Sequence, residues 1–178
     1  TTFDRLGRVT LIVHPESSVS GGATVSPTEE FEFDTVGNIV SRTDRRGETT
    51  TFTYDGLNRA ITQTDPAVGN NPAGVFFTAY DDSGNTTLTI DQLGARAEAT
   101  YDDAGRQRTA TSVVRNATPT PASYTTTYDY DAAGRLVNTE RDLNPKDGQP
   151  QVLVTHHKHD AADRNIAIAE GKRHAGAE

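Results

Sequence analysis

The chain contains no cysteine, no methionine and no tryptophan. Without cysteine, disulfide staples and thiolate metal sites are excluded. Apolar residues are scarce, at 33% of 178 residues with a mean hydropathy of −0.64. A globule with one thick core carries more, so a thin sheet or a solenoid with one covered face is expected. Such polarity also fits disorder, which the regular aromatic spacing described below argues against. No run approaches the roughly 18 apolar residues of a membrane helix. No charged n-region followed by an apolar h-region opens the chain, so no signal peptide is visible. Basic residues are in the minority, 17 against 25 acidic, giving a net charge of −8 and a pI near 5.1. An acidic chain without a basic run repels phosphate backbones, so nucleic acid is not an expected partner. The start at Thr1-Thr2 and the lack of methionine read as an internal piece of a longer polypeptide, or a processed one. No segment sustains a 3.6-residue apolar period, and helix should be nearly absent. Residues 157–170 are the one stretch where a frayed helical end is considered.

What is present is a repeat. Six segments share one pattern: Phe3-Asp4-Arg5-Leu6-Gly7-Arg8, Phe33-Asp34-Thr35-Val36-Gly37-Asn38, Tyr54-Asp55-Gly56-Leu57-Asn58-Arg59, Tyr80-Asp81-Asp82-Ser83-Gly84-Asn85, Tyr101-Asp102-Asp103-Ala104-Gly105-Arg106 and Tyr130-Asp131-Ala132-Ala133-Gly134-Arg135. A worn seventh copy runs from His159 through Asp160 to Asp163 and Arg164. The aromatic positions lie 30, 21, 26, 21, 29 and 29 residues apart, so the minimal unit is 21 residues and the others carry enlarged loops.

The pattern is a turn device. In a type I turn with a G1 bulge, Asp leads because its carboxylate accepts the turn's backbone amides, and the fourth residue takes a left-handed conformation. The fourth position is Gly in five copies, Asn58 in one and Asp163 in the worn one, the residue types that tolerate that conformation best. Flanking segments alternate as strands do: Phe31 with Phe33, Phe52 with Tyr54, and Tyr128 with Tyr130 share a face, and Thr49 to Thr53 and Thr125 to Thr127 supply β-branched residues. Asp44-Arg45-Arg46-Gly47 and Asp91-Gln92-Leu93-Gly94 repeat the turn logic about ten residues on. Each unit is therefore strand, turn, strand, turn, with six or seven residues per strand. Elsewhere the second turn grows into loops near 14–28, 65–75, 112–123 and 142–151, which hold all eight prolines. Loop growth falls on one edge of the sheet, where binding specificity is expected.

These residues resemble the RHS or YD-repeat family, whose signature is Tyr-Asp-x-x-Gly-Asn/Arg. The resemblance covers Phe3 to about Arg164. It implies an all-β antiparallel hairpin array, a spiral or solenoid-like ribbon, of the kind that forms bacterial toxin shells, Tc toxin shell subunits and teneurin barrels. Seven units supply an arc of such a shell, or a turn or two. Family members that cleave themselves carry a segment rich in Asp-Pro near the end of the shell. Here Asp65-Pro66 is the single Asp-Pro and sits in a loop, so self-cleavage is not carried over. The array is expected over residues 1–170, with a disordered tail at 171–178. The motif residues Phe3, Asp4, Gly7, Phe33, Asp34, Gly37, Tyr54, Asp55, Asn58, Tyr80, Asp81, Gly84, Tyr101, Asp102, Gly105, Tyr130, Asp131 and Gly134 are read as structural.

No catalytic, cofactor or metal site is assigned. Asp81-Asp82, Asp102-Asp103 and Asp129 with Asp131 are the best calcium candidates, but their spacing matches neither an EF-hand nor the nonapeptide calcium repeat, and turn stabilisation explains the leading Asp. His156, His157 and His159 form the one histidine cluster, read as an exposed polar strand in preference to a metal site. The Arg that follows each turn (Arg8, Arg59, Arg106, Arg135, Arg164) is expected to pair with an acid on a neighbouring strand and to cover the aromatics with its stem. The functional expectation is a non-catalytic scaffold, a shell segment enclosing or displaying a toxin or effector domain encoded elsewhere in the polypeptide. The alternative is an extracellular adhesin or self-assembling fibre that binds glycan or protein through the loop edge. Expected partners are further YD repeats of the same polypeptide, other copies, an enclosed toxin domain or a surface glycan or protein, without membrane insertion. The resemblance implies a secreted or cell-surface location.

Overall fold

The computed structural model describes residues 1–18, 24–67, 69, 72–114, 122–143, 151–162 and 164–174, and every regular element among them is a β-strand. The chain divides into two compact units, Thr1–Thr78 and Ala79–Glu178.

The first unit contains β1 (Thr2–Phe3), β2 (Val9–Val13), β3 (Ser17–Ser18), β4 (Thr24–Val25), β5 (Thr28–Phe33), β6 (Ile39–Thr43), β7 (Thr49–Tyr54) and β8 (Ala60–Thr64). The boundary falls within β9 (Val75–Tyr80). Hydrogen-bonded neighbours run β1-β2-β5-β6-β7-β8-β9, all antiparallel, while β3 and β4 form a separate two-stranded ladder inside the 14–28 loop. The second unit contains β10 (Thr86–Ile90), β11 (Arg96–Tyr101), β12 (Gln107–Val114), β13 (Ala122–Tyr130), β14 (Leu136–Leu143), β15 (Gln151–His159) and β16 (Asn165–His174), paired in that order. In each unit the motif turns lie on one edge of the sheet, and the longer connections on the other.

Five motif aromatics sit at a register shift, Phe3 among them, facing Val9. Phe33 faces Ile39, Tyr54 faces Ala60, Tyr101 faces Gln107 and Tyr130 faces Leu136, each across from the first strand residue after the turn. One extra residue on the turn side produces this shift, as a bulge does. Burial alternates along β7 and β15, as a pleated strand with two unequal faces requires. The sheet is thin. Val152 at 6% and Val154 at 8% exposure are the most enclosed apolar residues described. Threonine hydroxyls bridge strand pairs, as between Thr53 and Thr62 at 2.6 Å and Thr100 and Thr109 at 2.7 Å.

Several expectations need correction. Strands are five or six residues long from β5 to β11, and eight to ten from β12 to β16. The reason is that the arms of the expected loops zip together: Val113 pairs with Ser123, Val114 with Ala122 and Leu143 with Gln151. The centres of those loops, 115–121 and 144–150, lie outside the described residues. The near absence of helix holds at 157–170 as well, where the described residues form β15, a turn and β16, because Ile166 and Ile168 alternate and β15 offers a long template. Of the tail expected at 171–178, Gly171 pairs with Val154 and β16 runs to His174, while 175–178 lie outside the described residues.

Candidate functional site: the turn edge and the loop edge

Each motif turn closes by the same two backbone bonds. In the first copy the Asp4 amide donates to the Arg8 carbonyl at 2.9 Å, and the Gly7 amide to the Asp4 carbonyl at 3.1 Å. The pair recurs at Asp34, Asp55, Asp81, Asp102 and Asp131, and at the second-class turns Asp44 and Asp91. The residue in the fourth position has positive φ throughout, from +61° at Asn58 to +105° at Gly37. A side chain strains there unless it is Asn or Asp. The described worn copy keeps the outer bond, Asp160 amide to Arg164 carbonyl at 3.0 Å, whereas Asp163 lies outside the described residues.

The leading carboxylate holds the turn with both oxygens. In the third copy Asp55 Oδ1 accepts the Leu57 and Arg59 amides at 2.9 and 3.0 Å, and Oδ2 accepts Arg59 Nε at 2.7 Å. Arg8, Arg106, Arg135 and Arg164 grip their own Asp in the same way, at 2.6 to 2.7 Å. Asn38 and Asn85 substitute an amide nitrogen at 2.8 and 2.9 Å. Each Arg therefore pairs with the Asp of its own turn, where an acid on a neighbouring strand was expected. The bulge curls the chain so that residues four apart face each other, which strand alternation alone does not suggest. These bonds favour the ionised form. The Arg59 amide, with further help from the Arg59 side chain, holds Asp55 below the ordinary carboxylate value, and the Arg106 side chain does so for Asp102.

Consecutive turns also touch. The Arg8 guanidinium lies 4.4 Å over the Phe33 ring, and Arg106 lies 4.7 Å over Tyr130. The guanidinium thus sits over the aromatic face. Asn38 Nδ2 donates to Asn58 Oδ1 at 3.0 Å. A Cβ on Gly134 would meet Arg106 Nη1 at 3.3 Å, so the fourth position is confined by its neighbour as well as by φ. Tyrosine adds a second coupling. Tyr54 Oη donates to the Ile39 carbonyl at 2.8 Å, Tyr101 to Thr86 at 2.9 Å and Tyr130 to Gln107 at 3.0 Å. The acceptor is in each case the first strand residue after the preceding motif turn.

On the opposite edge of the first unit, Glu29 gathers two arginines and a histidine. It accepts Arg45 Nε at 2.8 Å and meets His14 Nε2 at 3.0 Å, with Arg42 at 3.8 Å. The Arg45 hydrogen bond lowers its pKa. Nothing in the sequence marked Glu29, because it lies on β5 while its partners come from beyond β2 and from β6 with the turn that follows it. The histidines lie along β15, where His156 Nδ1 meets Asn138 Oδ1 at 2.6 Å and His157 contacts Thr139 and Asn165 at 3.4 and 3.2 Å. Both nitrogens of His157 thus have protein partners. Among the described residues, no group of three or more His, Asp or Glu is arranged to hold a metal ion.

A family model described as RHS Repeat matches residues 33–67, which span the Phe33 and Tyr54 copies. Solved structures share the fold. The crystal structure of TcdB2-TccC3-Cdc42 has a TM-score of 0.68 at 15% identity, covering 94% of this chain and 9% of that one. TcdB2-TccC3 without its hypervariable C-terminal region gives 0.67 at 15% identity, with coverages of 94% and 9%. TcdB2-TccC3-TEV gives 0.58 at 11%, with 97% and 11%. This chain therefore spans about a tenth of the length of the solved chains it matches. No curated protein matches it. The resemblance carried by the hexapeptide is borne out: residues 33–67 match the RHS Repeat model, and the chain shares the fold of those structures.

Proposed function

We propose that this chain is a segment of a non-catalytic RHS/YD-repeat shell wall, which encloses or displays a toxin or effector domain encoded elsewhere in a longer, secreted or surface-located polypeptide. One observation carries the reading. The side chains most able to do chemistry are engaged in building the sheet: the motif Asp carboxylates hold turns, the Arg groups hold those Asp residues, and three Tyr hydroxyls tie successive repeats. A repeat whose polar groups face its own neighbours extends by repetition, as solenoids do. The partners of this segment are then further YD repeats of the same polypeptide and the enclosed domain.

Electron microscopy of the full-length polypeptide tests this. Hollow closed particles support the shell. Regular filaments favour the adhesin or fibre reading. Turnover of a polysaccharide or ester that is abolished by mutating one acidic pair would overturn the scaffold reading altogether.

A further inference from the structure

The second unit has an open hollow of about 640 Å³, within the usual range for a small-molecule site. Its position follows from side-chain size. Alternation places Ala97, Ala99 and Tyr101 of β11 on one face, and the register pairs Ala99 with Ala110 and Ser112 with Tyr124. Alanine is depleted in strands because it packs little surface, yet three alanines sit together here in neighbouring strands. They leave a small-residue floor between two tyrosines. Tyr101 is held by its hydroxyl bond to Thr86. The same face receives Arg141, which pairs with Thr126 across β13 and β14. Arg141 is exposed and has no ion-pair partner among the described residues, in a chain whose motif arginines are gripped by acids. The two carboxylates that also border the hollow are engaged: Glu98 with Arg96, and Asp142 with the Thr125 amide at 3.1 Å.

From this we infer that the hollow is a binding site for an acidic saccharide unit, a six-membered sugar ring bearing a carboxylate. The ring lies over the alanine floor against Tyr101 and Tyr124, whose faces suit the C–H side of a sugar. The Arg141 guanidinium takes the carboxylate, for which its fork is shaped, and the Ser112 and Thr126 hydroxyls are available to ring hydroxyls. The site is on the sheet face, its lining reaches Leu143 at the end of β14, and it does not depend on what the wall encloses.

The test is titration of the whole chain with glucuronate, glucose and acetate, followed by NMR or calorimetry. Glucuronate is expected to bind saturably and about tenfold more tightly than glucose or acetate, because only it offers ring and charge together. Arg141→Gln should bring glucuronate down to the level of glucose. Ala110→Leu, which fills the floor, should abolish binding while leaving the unfolding midpoint near that of the parent. Should Ala110→Leu not fold, the Arg141→Gln comparison decides alone. The inference is overturned if glucuronate binds no more tightly than glucose and acetate, or if either folded variant binds it as the parent does. Failure here would leave the electron-microscopy outcome untouched, so the two readings fail separately.

Discussion

The two units use the same turn but join and cover their repeats differently. In the first, the opening aromatics are Phe3 and Phe33, and the Arg8 guanidinium over the Phe33 ring is one link between successive turns. Its motif turns present Leu6, Val36 and Leu57 to solvent, at 74%, 68% and 67% exposure. In the second, Tyr101 and Tyr130 anchor their hydroxyls on the preceding repeat, the corresponding turn positions are Ser83, Ala104 and Ala133, and the strands lengthen until Val152 and Val154 are enclosed. The difference teaches that the hexapeptide specifies a turn and leaves the coupling between repeats to be set by one atom on the aromatic and by strand length. Tyr54, with its hydroxyl on Ile39, shows the tyrosine coupling already at work inside the first unit.

The contrast can be broken most strongly through burial. Val152→Ala removes two methyl groups from an enclosed site and should cost about 2 kcal/mol in urea unfolding. The matching change in the first unit, Val13→Ala at 49% exposure, should cost less than about 0.5 kcal/mol. Equal losses would mean that the longer strands of the second unit add no core. The aromatic atom gives the next effect. Tyr101→Phe should lose about 1 kcal/mol with its carbonyl bond to Thr86. The converse, Phe33→Tyr, places a hydroxyl one repeat from the Val9 carbonyl, the position equivalent to Ile39 and Thr86, and should not destabilise. If Phe33→Tyr loses as much as Tyr101→Phe, the coupling is not transferable.

The smallest effect is expected near neutral pH and grows only in acid. The motif Asp residues have folded pKa values below their ordinary value, Asp55 through the Arg59 amide first and Asp102 through the Arg106 side chain first. A carboxylate depressed on folding contributes stability that is present above its unfolded value, about 3.9, and lost as pH falls through the folded one. Thermal unfolding should therefore be flat between roughly pH 5 and 7 and should fall in both units below about pH 4. A drop confined to one unit would show that the turns do not share a mechanism.

Much of this architecture was legible in the sequence because turns are local. Asp in the first position and Gly, Asn or Asp in the fourth follow from four consecutive residues, and the alternating Thr, Phe and Tyr segments mark the strands. The partners of Arg8 and Arg106 were not legible, because strand alternation points them to a neighbour while the bulge returns them to their own Asp. The carbonyl acceptors of Tyr54, Tyr101 and Tyr130 depend on the pairing of strands from different repeats, which no local pattern encodes. Glu29 was missed for the same reason, since His14 approaches it from beyond β2, and Arg42 and Arg45 from β6 and the turn after it. The alanine floor at Ala97, Ala99 and Ala110 looked featureless as sequence and became a hollow only once β11 and β12 were in register.

The central claim is that the hexapeptide acts through backbone handedness, and one unfolding series tests it most directly. Gly105 has φ +74°, and a Cβ added there would meet Asn85 Oδ1 at an unstrained 3.8 Å. Space is therefore not what excludes a side chain at this position. Gly105→Asn, the residue that Asn58 already uses in the third copy, should keep stability close to that of the parent. Gly105→Val should lose roughly 1–3 kcal/mol in urea, since a β-branched side chain does not tolerate that conformation. Asn and Val variants of equal stability would contradict the account.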